Sequence, residues 1–187
     1  MQYNYAMEKS LTFITGNHAK VQQVKRYLKI PFTHRSLDLP EIQSLDLREI
    51  VGYKVRAAFE IVKRPVFVED VSLVFHAIGK LPGPLIKWFL QELNNDGLCK
   101  MLDQSDTRRA TAMVNYAYFD GDELKIFEGI MEGSISPEPR GIKSFGWDPI
   151  FIPLGFVKTW SEMNEDEQAR VSMRSIALEK FKKWYLG

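Results

Sequence analysis

Two adjacent carboxylates, Glu69 and Asp70, interrupt an otherwise apolar run from Val66 to Phe75. Dehydrating such a pair without partners costs several kcal/mol, so either a cation lies close by or the pair marks a strand end in water. Glu41, in Asp38-Leu39-Pro40-Glu41, is a candidate third acid on a loop stiffened by its proline. Hard oxygen donors without a His or Cys cluster suit Mg²⁺, which binds through carboxylates together with substrate phosphates. His18, His34 and His76 are scattered and read as surface or core residues rather than a zinc set.

Three further segments carry groups with chemical use. In Thr15-Gly16-Asn17-His18-Ala19-Lys20 a strand gives way to a helix. Gly16 permits a positive φ, the helix start presents unpaired N–H groups, and Lys20 can aim its ammonium at the same phosphate. The alternative is an ordinary capped turn with Lys20 in solvent. Neither the P-loop spacing nor the dinucleotide glycine pattern is present. Phe145-Gly146-Trp147-Asp148-Pro149 offers two aromatic faces for a purine and a carboxylate for a base edge, or else an aromatic corner of the core. Lys87, in Leu81-Pro82-Gly83-Pro84-Leu85-Ile86-Lys87-Trp88-Phe89, sits near a helix start among apolar neighbours, where a snorkelling lysine is the plainer reading.

These groups need a scaffold, and composition bounds it. A chain of 187 residues, 45% of them apolar, is long enough for one large domain or two intimately joined lobes with a real core. With 25 Lys and Arg against 24 Asp and Glu the net charge is +1, which excludes a broadly basic nucleic-acid binder. The single cysteine, Cys99, excludes an intramolecular disulfide and fits a reducing cytosol. Residues 1–9 lack the basic start and apolar stretch of a signal peptide and read as a flexible lead-in. The apolar runs fall far short of the ~20 residues that span a bilayer.

Periodicity predicts a strand at Leu11 to Thr15, then a helix with Val21, Val24 and Leu28 on one face. A second helix starts at Asp46, with Glu49 reaching back in a capping box. Its apolar stripe is Leu47, Ile50, Val51, Val55, Ala58 and Val62. Strand Val66 to Val68 resumes as Val71 to Phe75, and Pro84 opens a helix through Leu93, followed by a short helix at Leu98 to Leu102. Arg109 to Phe119 and Leu124 to Ile135 form a hairpin around Asp120-Gly121-Asp122-Glu123, and Ser172 to Leu186 forms the last helix. The pattern is that of an α/β protein with a mixed sheet.

In order and spacing the segments resemble the inosine/xanthosine triphosphate pyrophosphatase family. The resemblance runs from Phe13-Ile14-Thr15-Gly16-Asn17 with Lys20, through Leu39-Pro40-Glu41, Val68-Glu69-Asp70 and Leu81-Pro82-Gly83-Pro84 with Lys87-Trp88-Phe89-Leu90, to Phe145-Gly146-Trp147-Asp148-Pro149 and Val171-Ser172 with Arg174. It implies a twisted mixed sheet with flanking helices in two lobes around a nucleotide cleft, a cytoplasmic homodimer, and Mg²⁺-dependent hydrolysis of ITP, dITP and XTP to monophosphate and pyrophosphate. Carried over by position, Thr15, Gly16, Asn17, His18, Ala19 and Lys20 hold phosphates, and Lys54 and Lys87 neutralise further phosphate charge. Glu41 and Asp70 hold the metal, Phe145, Gly146, Trp147, Asp148 and Arg174 take the base, and Asp70, Glu69 and Lys20 carry the chemistry. Gln23 stands where the family usually has Glu, and Gln168 and Met173 stand where it has Lys and His, so a weakened base preference is expected. A catalytically silent nucleotide sensor of the same fold is the alternative.

Overall fold

The computed structural model describes residues 11–142 and 146–187; the lead-in expected over residues 1–9 and Phe145 lie outside them. Seven strands form one mixed sheet in the order β2-β1-β3-β5-β6-β7, with β4 paired to β3. They are β1 (Thr12–Ile14), β2 (Thr33–Arg35), β3 (Val66–Phe75), β4 (Pro82–Gly83), β5 (Arg109–Phe119), β6 (Leu124–Ile135) and β7 (Phe151–Pro153). The helices are α1 (His18–Leu28), α2 (Leu47–Val62), α3 (Ile86–Lys100), α4 (Glu165–Val171) and α5 (Met173–Leu186). Among the described residues no helix is long and apolar enough to cross a membrane.

The chain divides into two compact units, and the division cuts β3 after Asp70, β5 before Val114 and β6 after Gly129. In the first unit β1 lies parallel to both β2 and β3, with Phe13 level with Phe67 and Ile14 with Val68. Side chains alternate across a strand, so this register builds two different layers. On one face Ile14, Val66, Val68 and Ala117 pack with Val51, Val55 and Ala58 of α2. On the other, Phe67 stacks on Phe13 at 4.6 Å and meets Phe181 of α5 at 5.3 Å. The second unit has its own aromatic core, in which Phe151 and Trp160 lie 4.5 Å apart and Trp147 and Trp160 lie 5.4 Å apart. Arg108 ties its backbone together by donating to the carbonyls of Cys99, Ile135 and Ser136. Burial pushes the Cys99 thiol up to about 11 against the opposing charge of Arg108, which leaves it a neutral core group.

Three local expectations change. Glu49 does not close a capping box on Asp46: Ser44 Oγ accepts from the Asp46 N–H and donates to Glu49, relaying the contact, while the Asp46 carboxylate caps Arg48 N–H. Pro84 lies before the helix, because Pro82 and Gly83 are drawn into the β4 pairing and α3 starts at Ile86. The two helices expected over Pro84 to Leu102 are present as two segments of α3, separated at Asn94, whose backbone (φ 56°) is not helical. Gly16 is absent from the left-handed glycines. A Cβ there would stand 3.3 Å from Ser36 Oγ, a tight contact that a shift of a few tenths of an ångström in that hydroxyl would relieve.

Phe181 is fully buried between Phe67, Phe127 and Tyr118. Phe181→Ala is expected to destabilise the protein by about 3–5 kcal/mol, measured as a lowered urea midpoint.

Candidate active site

The turn after β1 is built by its own side chains. Thr15 Oγ accepts from the Asn17 N–H, and Asn17 Oδ1 accepts from the N–H groups of Ala19 and Lys20. The unpaired N–H groups expected at this helix start are therefore partly closed by Asn17, and the positive charge available there is the Lys20 ammonium. Thr15 N donates to Arg35 O and Thr15 O meets His34 Nε2 at 2.7 Å, which fixes the turn to β2. Because the Thr15 hydroxyl serves as acceptor, its one proton is left to donate.

Glu69 and Asp70 are neighbours in sequence but belong to opposite faces of β3. Glu69 lies on the Phe67 face and is only 2% exposed. Its Oε1 pairs with Lys20 Nζ at 3.4 Å, and its Oε2 accepts from the Tyr116 hydroxyl at 2.5 Å. Asp70 lies on the α2 face, where its Oδ2 stands 3.1 Å from Lys54 Nζ. Glu41 Oε1 stands 3.5 Å from the same ammonium. Burial works against charge on Lys54, but the carboxylates of Asp70 and Glu41 outweigh it and hold its pKa above the usual lysine value. The expectation that a cation accompanies the paired acids is met twice, by a different lysine for each.

This geometry separates the expected metal residues from Glu69. Glu41 and Asp70 reach one common cation, whereas Glu69 lies on the opposite face of the strand beside Lys20. Among the described residues no three His, Cys, Asp or Glu side chains form a metal-binding group. Two converging carboxylates fit a Mg²⁺ ion that keeps water and phosphate oxygens as its remaining ligands.

In the second unit, Trp147 is 7% exposed, with its indole against Trp160 and Phe151. The open aromatic face expected at this residue is taken up by the core. Gly146 adopts a φ of 61° and its carbonyl accepts from Asn95. Burial pushes the Asp148 carboxyl up to about 7, with the Arg174 charge opposing the shift. Lys87 is exposed in the first turn of α3, its ammonium 4.9 Å from the Trp88 ring centre. Met173 is fully buried, and Gln168 donates to the Trp160 carbonyl at 2.6 Å.

Sequence reasoning missed Tyr116. Its signal was the alternation of β5, which sets Val114, Tyr116 and Tyr118 on one face, but nothing in the local pattern named Glu69 as a partner 47 residues away.

A sequence model of the Ham1 family matches residues 11–184. The chain belongs to the Ham1 family. It is 41% identical over 186 residues to the inosine triphosphate pyrophosphatase of Puccinia graminis f. sp. tritici, covering 94% of this chain and 96% of that one. It is 44% identical over 179 residues to the protein of the same name from Podospora anserina, with 94% and 93% covered. The solved Ham1 protein of Staphylococcus aureus shares the fold, with a TM-score of 0.82 at 23% identity over 95% of this chain and 99% of that one.

Within this Ham1 chain, Asp148 ties pH to stability. The folded carboxyl keeps its proton to about pH 7, while the unfolded one releases it near the ordinary value of 3.8, so the folded state binds more protons in that window. Stability contributed by the protonated carboxyl is therefore lost as pH rises across it. Asp148→Asn, neutral throughout, is expected to shrink the fall in Tm between about pH 5 and about pH 8 by about 5 °C, read by scanning calorimetry.

Proposed function

We propose that this protein hydrolyses non-standard purine nucleoside triphosphates (ITP, dITP and XTP) to the monophosphate and pyrophosphate, with Mg²⁺ as cofactor. The observation that carries the reading is the pair of lysines at the first unit's carboxylates. Lys20 is held by Glu69, and Lys54 by Asp70 and Glu41. Each ammonium has three donors, so each retains at least one for a phosphate oxygen while its carboxylate fixes its position. The names borne by the Puccinia and Podospora relatives support the substrate class.

In this reading Thr15, Gly16, Asn17, His18, Ala19 and Lys20 receive phosphate oxygens at the start of α1. Glu41 and Asp70 are the residues that would hold Mg²⁺, which when bound polarises the phosphates toward attack. Asp70 orients the attacking water and accepts its proton, while Lys20, Lys54 and Lys87 offset charge on the departing pyrophosphate. Glu69 acts one step back, as the anchor of Lys20. Phe145, Gly146, Trp147, Asp148 and Arg174 serve the base. An Arg174 guanidinium donating to a 6-oxo group disfavours adenine, whose 6-amino group would set donor against donor.

The reading includes a homodimer in the cytoplasm and no stable nucleic-acid partner. Light scattering at micromolar protein checks the dimer, and a concentration-independent monomer mass removes it. A panel of nucleoside triphosphates with Mg²⁺, resolving pyrophosphate from orthophosphate, separates the diphosphatase from a silent sensor. Asp70→Asn is expected to lower turnover at least about a hundredfold with the fold intact by circular dichroism, and EDTA is expected to do the same. Full Mg²⁺-dependent rates in a folded Asp70→Asn protein would exclude the assigned role.

A further inference from the structure

Histidines that are scattered along the sequence are not all scattered in the fold. His18 and His34 have ring centres 5.8 Å apart at an interplanar angle of 64°. The β1–α1–β2 unit brings them together. β2 runs parallel to β1 with His34 level with Phe13, and α1 opens at His18, just after Thr15, whose carbonyl His34 already reaches. That contact fixes the chemistry of the His34 ring. A carbonyl oxygen only accepts, so Nε2, 2.7 Å from Thr15 O, carries a proton and donates it. In the neutral ring Nδ1 is then the bare nitrogen, with a lone pair to give. An imidazole that ligates a metal is ordinarily held in this way, its other N–H donated to an oxygen that sets tautomer and orientation. His18 is exposed at the first position of α1. Two imidazoles on one tetrahedral ion, each nitrogen about 2.0–2.1 Å from it, place their ring centres roughly 5–6 Å apart, and the observed spacing falls in that interval.

We propose that His18 and His34 form a binding site for a divalent transition-metal ion of the Zn²⁺ class, with the remaining positions on the ion left to water. Its donors set it apart from the carboxylates of Glu41 and Asp70. Imidazole nitrogen suits Zn²⁺ and its neighbours in the series, whereas hard oxygen suits Mg²⁺. The Lys20 charge in the same turn of α1 is paired with Glu69, which lessens its repulsion of an incoming cation. Edge-to-face packing of two rings accounts for the same spacing without an ion, and an ion-binding measurement separates the two.

The test uses the full, untagged chain, freed of metal with EDTA and then dialysed, and contains no nucleotide, so its outcome does not depend on the proposed hydrolysis. Titration calorimetry with Zn²⁺ at about pH 7.5, where imidazole is mostly neutral, is expected to show one ion per chain with a micromolar dissociation constant. Co²⁺ is expected to give the visible absorption of a tetrahedrally held ion, and excess Mg²⁺ to leave both signals unchanged. His34→Gln removes the ring but keeps an amide N–H for the Thr15 carbonyl, and His18→Ala changes an exposed position. Each is expected to weaken Zn²⁺ binding at least about tenfold with the circular dichroism spectrum intact. If His34→Gln fails to fold, His18→Ala decides by itself. A parent protein that binds no Zn²⁺, binding that survives His18→Ala at full strength, or displacement of Co²⁺ by Mg²⁺ overturns the proposal. So does loss of binding in His76→Gln with His18→Ala unaffected, which moves the ion to the cluster of His76, Thr111 and Glu132.

Discussion

The two-residue alternation of β3 is the constraint on which the first unit turns. Because Glu69 and Asp70 are consecutive, a strand must send them to opposite faces of the sheet. Each carboxylate then needs its own cation, and the cations come from different helices. Lys20 lies in the first turn of α1, and Lys54 lies midway along α2 at the edge of its buried stripe. A single lysine could not have served both. The positions of the two helices and the two charge pairs are thus one problem with one solution.

The energetics of the two faces differ. Glu69 is enclosed and takes a hydroxyl as well as an ammonium, so its partners are fixed by the aromatic layer around them. Asp70 and Glu41 are more open and share Lys54. An enclosed carboxylate that lost a partner would be strongly destabilising, whereas the open pair can exchange its cation at lower cost. This asymmetry matches an anchoring role for Glu69 and an exchangeable, metal-facing role for Glu41 and Asp70 within the proposed function.

The departures from the family pattern also look different in three dimensions. Met173, where a His donor was expected, is fully buried, and Gln168, where a Lys was expected, donates to the Trp160 carbonyl. Met173 lies in the interior of the second unit, and the partly buried Gln168 is committed to a backbone contact there. An imidazole at position 173 would be buried and would need a hydrogen-bond partner there to avoid a desolvation cost.

Much of the fold could be read from local pattern. The β5 and β6 bounds, the buried stripes of α1 and α2 and the continuation of β3 through its two acids all follow from periodicity, because burial repeats every two residues in a strand and every 3.6 in a helix. The need for cations beside Glu69 and Asp70 was equally legible, since dehydrated charge demands partners. Their identity was not. Strand alternation could have separated the two acids, but which lysine meets which depends on helix placement. The Tyr116 contact depends on the pairing of strands far apart in sequence, and the burial of Trp147 depends on Trp160 arriving from a later segment. Sequence determines what each residue requires; only the tertiary structure decides which distant residue supplies it, because complementary groups meet through packing and not through spacing along the chain.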